Sequence, residues 1–305
     1  MASAVTLREI ASVPYAVLTP EGPGPLPLCV FLLGAGGTRE NLVDLQPVFD
    51  GWWNEGLLPP MAVVVPTPGP DYIAWDSFLA EDLIPQVRAE FHASEAVVIA
   101  GISGGGYGAL KLAFARPEMF SAVAVMQPML EPGLRASDGG ARNRLHHVAV
   151  ASPSAELWEA NNPANRARAN AQAIRDSGMA IYLDAADRDF LNAHDGAEFL
   201  HRTLWYLDLA HEYHLVREAD HGGPTMRPRM RAMFSWIATV LRPPVADSAM
   251  EEAAAAWLGS GMQGKPPAGA TTSEAFIRYM RARFKPLREK ASESDPTVKR
   301  RYGVV

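Results

Sequence analysis

Six short runs of apolar, largely β-branched residues between positions 28 and 216 limit the folds open to this chain more than any other feature. Residues 28–33 read LCVFLL, 61–65 MAVVV, 96–100 AVVIA, 121–126 SAVAVM, 180–184 AIYLD and 212–216 EYHLV. A strand wetted on one face alternates apolar with polar residues. A run that is apolar at nearly every position must be covered on both faces, which is the habit of a parallel sheet. The segments between the runs carry helical spacing, most clearly 75–91 and 107–115. Strand–helix alternation predicts βαβ units and an α/β fold with an open, mostly parallel central sheet flanked by helices. Residues 6–9 and 15–18 predict a hairpin at the sheet edge.

Two stretches break the rhythm. Residues 127–178 are too long for an ordinary crossover and predict an insertion or lid holding one helix near 165–175. Residues 1–244 therefore form the main domain, and 245–305 a C-terminal helical extension. In the extension, 249–258 predicts a helix with Ser248 and Glu251 at capping-box spacing. A linker follows at 259–272. A second helix from Ser273 to about Phe284 has Thr271 and Glu274 at the same spacing, and Pro286 should end it. Its stripe of Phe276, Met280 and Phe284 needs a surface, either on this chain or on a second copy in a homodimer. The arginines of that helix (Arg278, Arg281, Arg283) read as a solvated face.

Composition narrows the class. The net charge of −6 is the wrong sign for nucleic acid or an anionic membrane surface, and neither is expected as a partner. The single cysteine, Cys29, lies in a strand pattern and reads as a core residue. The first seventeen residues carry Arg8 and Glu9 without an apolar h-region, and no run reaches the length of a membrane span. A cytoplasmic protein is the expectation.

The chemistry is concentrated at Gly101-Ile102-Ser103-Gly104-Gly105, directly after the run AVVIA and directly before helical spacing. A serine on a tight strand-to-helix turn takes a strained backbone, and the residues two places to either side must be small. Gly101 and Gly105 meet that need, and Ser103 is the candidate nucleophile. A hydroxyl is a weak nucleophile without a base. On such a sheet the acid and then the histidine follow the serine, each in a loop after a strand. His221 lies just beyond EYHLV and is the candidate base. His211 and His214 flank or lie inside that run, without zinc-site spacing. The acid should follow AIYLD, where LDAADRDF offers Asp184, Asp187 and Asp189. Asp184 ends the run and reads as structural. Asp187, a few residues into the loop, is the first choice, and Asp189 the alternative.

Two backbone N–H groups must meet the developing oxyanion. Gly104 supplies one, and Ala35 in the loop Gly34-Ala35-Gly36-Gly37 supplies the other, with Gly36 as alternative. Trp52 and Trp75, in loops after buried strands, together with Gln127 and Tyr107, are candidate substrate-binding residues. Trp53 shares the position of Trp52. Read as a dinucleotide cradle, the Gly34 loop fails, because Arg39 stands where the third glycine belongs. No cofactor and no metal are expected.

At FLLGAGGTREN (31–41), FLAEDLIPQVRAEF (78–91), GISGGGYGALKLAFARPEMFSAVAV (101–125), LDAADRDFL and DHGG, the chain resembles the esterase D family. That family includes S-formylglutathione hydrolases, feruloyl esterase-like enzymes and mycolyltransferase-like acyl transferases. The resemblance spans about the first 240 residues. It implies an α/β-hydrolase fold, a serine carboxylesterase acting on short-acyl or aryl esters, and no cofactor. Carried over by position, it places the nucleophile on Ser103, the acid on Asp187, the base on His221 and the oxyanion donors on Ala35 and Gly104. The chain departs from the family at Leu33-Gly34, where His-Gly is usual, at Gly104, where Met is common, and throughout its tail. The alternatives are an acyltransferase or serine peptidase of the same fold, or a catalytically silent binding protein.

Overall fold

The computed structural model describes residues 2–22, 24–67, 75–138, 154–242 and 248–293. It divides into two compact units, one ending at Arg242 and carrying the sheet, the other following it.

In the first unit, β1 (Ser3–Ile10), β2 (Val13–Pro20), β3 (Leu26–Leu32), β4 (Ala62–Pro66), β5 (Ala93–Ile102), β6 (Ala122–Met126), β7 (Ala180–Ala186) and β8 (Glu212–Val216) form one sheet in the order β1-β2-β4-β3-β5-β6-β7-β8. The expected edge hairpin is present: β1 pairs antiparallel with β2, and β2 antiparallel with β4. Every pairing from β4 through β8 is parallel. Successive residues of the buried strands feed two separate cores. Leu28, Val30 and Leu32 face one core, and Cys29, Phe31 and Leu33 the other. Period-two alternation is still there; it is invisible in the sequence because both faces are dry.

Helices cover the two faces. On one lie α1 (Asn41–Asn54) and α9 (Met226–Leu241). On the other lie α2 (Trp75–Ser77), a π-helical turn (Phe78–Leu83), α3 (Ile84–Glu90), α4 (Gly104–Ala115) and α8 (Ala193–Tyr206). Three short helices, α5 (Ala155–Asn161), α6 (Pro163–Ala169) and α7 (Ala171–Ser177), replace the single helix expected inside 127–178. The local cause is readable. Asn162 holds a β-region backbone, its side chain accepts the Ala164 N–H, and Pro163 follows at the first helical position, so one helix stops as the next starts. A partly buried polar knot ties this segment down. Asp76 receives Lys111 at 3.0 Å and Arg166 at 2.5 Å, and Arg166 also donates to the Lys111 carbonyl.

The second unit contains α10 (Ser248–Gly259) and α11 (Glu274–Glu293). The capping pattern differs from expectation. Glu251 does not close its own helix; its carboxylate accepts the Glu274 and Ala275 N–H groups and caps α11 from the side. Ser273, not Thr271, is the local cap, accepting from the Phe276 N–H. The Phe276 ring stacks on Trp257, whereas Phe284 stays exposed. Pro286 does not end α11, which runs on to Glu293. The residues around it are exposed, so water can serve the carbonyl that Pro286 leaves without a donor. None of the described helices is long and apolar enough to cross a membrane.

Phe234 of α9 is fully buried and meets Phe31, Phe49 and Trp52 with ring centroids 5.4, 5.0 and 5.4 Å away. Phe234→Ala should destabilise the sheet-bearing unit by about 3–5 kcal/mol. Urea unfolding followed by tryptophan fluorescence would measure this.

Candidate active site

Ser103 lies between the end of β5 and the start of α4 with φ 57° and ψ −123°, a conformation that costs a non-glycine residue on the order of 1–3 kcal/mol. The surroundings impose it. The Ser103 N–H donates to the Met126 carbonyl at 3.1 Å, and its own carbonyl accepts from Tyr107 at 3.1 Å and Met129 at 3.0 Å. A Cβ on Gly101 would lie 2.3 Å from the Gly105 carbonyl oxygen, and one on Gly105 would lie 2.1 Å from that of Leu32. Both glycines are therefore obligatory, for the reason the pentapeptide suggested.

The Ser103 hydroxyl donates to His221 Nε2 at 2.9 Å, and His221 Nδ1–H donates to Asp189 Oδ2 at 2.7 Å. Asp187 is not in this chain of bonds, which corrects the first choice made from sequence. The reason is strand length. β7 continues two residues past Asp184, to Ala186, so the loop opens later than the apolar run implied. At Asp187 the backbone is still tied to β8: its N–H donates to the Val216 carbonyl at 3.0 Å, and its carboxylate accepts the Ala219 N–H at 3.3 Å. Two residues on, the Asp189 side chain is fully buried beside the His221 ring. Burial by itself would raise the Asp189 carboxyl. The hydrogen bond and charge of His221, with the Leu191 and Ala193 N–H groups, outweigh it and hold the carboxyl below the ordinary aspartate value.

The loop at Gly34 lies against the serine, since a Cβ on Gly34 would come 3.0 Å from that of Ser103. It closes as a turn in which the Gly37 N–H donates to the Gly34 carbonyl at 2.9 Å and Gly36 takes φ 77°. Ala35 is exposed within that turn. Gly104 opens α4, where the first N–H groups have no partner inside the helix.

The remaining candidates are placed differently from expectation. Trp52 and Trp53 are in α1, not a loop, and are buried in the core against Phe49. Their places in the run NLVDLQPVFDGWWN put them on its apolar face. Trp75 is half-buried, with its ring edge-on to Phe78. Tyr107 is buried and its hydroxyl donates to the Asn161 carbonyl at 3.1 Å. It borders a small cavity shared with Met129, Leu130 and Trp158. Gln127 is buried, and its amide donates to the His221 carbonyl and accepts from Arg229. Two neighbours of the histidine went unnoticed in the sequence. Phe190, 71% exposed, sets its ring edge against that of His221 at 5.7 Å. Arg229, 3% exposed, stands behind the histidine loop. Arg229 could have been noticed, because it falls on the helical stripe of Met226, Met233 and Ile237, where a charge must find a buried partner.

A mostly parallel sheet with a serine on a strained strand-to-helix turn, joined to a histidine and an aspartate from loops after later strands, defines a serine hydrolase of the α/β-hydrolase fold. The chain belongs to the Esterase family (described as "Putative esterase"), whose pattern matches residues 48–236, more than half of its length. Solved structures share the fold. A ferulic acid esterase is 17% identical, with a TM-score of 0.64 over 78% of this chain and 98% of its own. The fluorophosphonate-binding serine hydrolase FphF of Staphylococcus aureus is 17% identical, with a TM-score of 0.62 over 78% and 98%. An S-formylglutathione hydrolase from Agrobacterium tumefaciens is 16% identical, with a TM-score of 0.58 over 78% and 95%. No curated protein matches the chain by sequence.

The two aspartates can be told apart. Asp189→Asn should slow fluorophosphonate labelling of Ser103 by about 10³- to 10⁴-fold, whereas Asp187→Asn should label near the wild-type rate. The reverse ranking would return the role to Asp187. The lowered Asp189 carboxyl also fixes a sign. A group depressed in the folded state contributes stability above its unfolded pKa, about 3.9, and loses it as pH falls through the folded value. Wild type should therefore lose stability more steeply than Asp189→Asn below about pH 4, as read by urea midpoints across a pH series.

Proposed function

We propose that this esterase hydrolyses carboxylic esters with short acyl or aryl groups through an acyl-enzyme on Ser103. The observation that carries this reading is the unbroken run of hydrogen bonds from the Ser103 hydroxyl through the His221 ring to Asp189. His221 takes the hydroxyl proton as Ser103 Oγ attacks the ester carbonyl, and the Gly104 and Ala35 N–H groups, with Gly36 as alternative to Ala35, receive the developing oxyanion. The alcohol leaves with the proton from His221. Water, deprotonated by the same ring, then attacks the acyl carbon, and Ser103 departs with the proton. Asp189 holds Nδ1 protonated throughout, so Nε2 is the nitrogen that takes the serine proton in each attack and gives it back to the departing group. Phe190, exposed beside the His221 ring, is the apolar rim against which an aryl or short acyl group would lie.

The test is hydrolysis of p-nitrophenyl esters from acetyl to decanoyl by wild type and Ser103→Ala. Turnover should fall with chain length and drop at least about 10⁴-fold in the variant. Retained hydrolysis in Ser103→Ala would place the nucleophile elsewhere. Absence of turnover on every ester by folded wild type would remove the ester reading.

A further inference from the structure

The hydrogen-bonded run through Ser103 fixes the His221 ring at its two nitrogens but leaves open what holds the loop that carries it. Residues 217–225 connect β8 to α9, and His221 itself is only partly buried. Behind this loop lies a buried polar strut of three residues from three elements. Asp184 comes from β7, Gln127 from the residue after β6, and Arg229 from the first turn of α9; they are 1%, 1% and 3% exposed. Arg229 donates from both Nε, at 2.9 Å, and Nη2 to Asp184 Oδ1. Its Nη1 donates to Gln127 Oε1 at 2.5 Å and to the Asp220 carbonyl at 3.0 Å. Gln127 passes the contact on, with its Nε2 donating to the carbonyl of His221. The main chain of Gln127 is committed too: it takes φ 41°, rare for a non-glycine residue, and its N–H donates to the Asp184 carbonyl at 2.7 Å.

We infer that Gln127 and Arg229 are positioning residues for the reaction, fixing the main chain of His221 so that its ring stays aligned with Ser103. Neither touches substrate. They act on successive carbonyls, those of Asp220 and His221, the atoms that set where the histidine Cα sits. An arginine suits the task because its planar fork serves a carboxylate, an amide and a carbonyl together. A glutamine suits it because one amide can accept from the arginine and donate to the carbonyl. A strut whose only purpose was to support the fold would have no need to end on the loop of the base.

This inference rests on the proposed role of His221, and the test separates the two. Gln127→Met keeps the shape of the side chain and removes both amide contacts. Gln127→Glu keeps an acceptor for Arg229 and loses the donor to His221. Both should lower kcat on p-nitrophenyl acetate by about tenfold to a hundredfold with KM within about twofold, and slow fluorophosphonate labelling by the same factor. Arg229→Lys should retain more activity than Arg229→Met, because an ammonium can keep one of the carbonyl contacts. Since Arg229→Met leaves Asp184 buried beside an apolar side chain and can fail to fold, the glutamine variants decide the matter. Folded Gln127→Met with wild-type kcat and labelling rate would overturn this inference and leave the ester reading intact. If wild type labels but turns over no ester, the labelling rates still measure the alignment. If wild type does not label at Ser103, both readings fall.

Discussion

Everything at this site depends on three stretches of backbone approaching closer than side chains allow. The end of β5, the start of α4 and the end of β3 meet where Gly101 faces Gly105 and Gly105 faces the Leu32 carbonyl, with no room for a methyl group at either glycine. That contact lets the chain turn sharply and presents Ser103 at the end of the central strand β5 in a conformation it would not otherwise hold. The strain is supported by Met126, Tyr107 and Met129 through main-chain hydrogen bonds, so it belongs to the scaffold rather than to any one side chain. The parallel strands on either side supply the rigidity. Gly101 is in register with Leu32 of β3 and Val125 of β6, in the middle of the sheet.

Polar groups in this interior are few, and those serving the site are placed with purpose. The sheet is apolar along most of its length, and its buried charges gather where the parallel strands end: Asp184 with Arg229, and Asp189 with His221. Desolvation makes each charge costly alone and strengthens it when paired. The neighbourhood that lowers the Asp189 carboxyl thus keeps it ionised as an acceptor for His221. Away from the site, the knot of Asp76, Lys111 and Arg166 joins α4 to the short helices of the 154–177 segment.

The strands, the hairpin, the turn at Ser103 and the histidine were legible because each rests on local pattern: apolar runs, glycine at two fixed offsets, and a loop after a late strand, although β8 lies at the sheet edge and is largely exposed rather than covered on both faces. The aspartate that meets the histidine was not, because which one reaches it depends on where pairing between β7 and β8 stops. Ala185 and Ala186 extend the strand without changing its apolar reading, and two residues of extra strand exchange Asp187 for Asp189. The tryptophans failed for a different reason. Aromatic residues after a strand read equally as rim or core, and the helical spacing that buries Trp52 and Trp53 was hidden by Pro47 and Gly51 within α1. The capping residues of the second unit show the same limit. Spacing identifies a carboxylate able to cap, but only tertiary contact chooses which helix Glu251 serves.

The loops that carry Asp189 and His221 stay joined beyond the last strand pair by two main-chain bonds and one to a side chain. The Asp187 N–H reaches the Val216 carbonyl, the Arg188 N–H the Ala219 carbonyl, and the Phe190 N–H the Asp220 carboxylate, so the two loops form one ribbon. Arg188, Phe190, Arg217 and Glu218 project outward from that ribbon into solvent. None of these three bonds uses the side chains of those four residues. Those residues can be replaced, changing the surface around the site, without touching the hydrogen bonds that join Ser103, His221 and Asp189 beneath them.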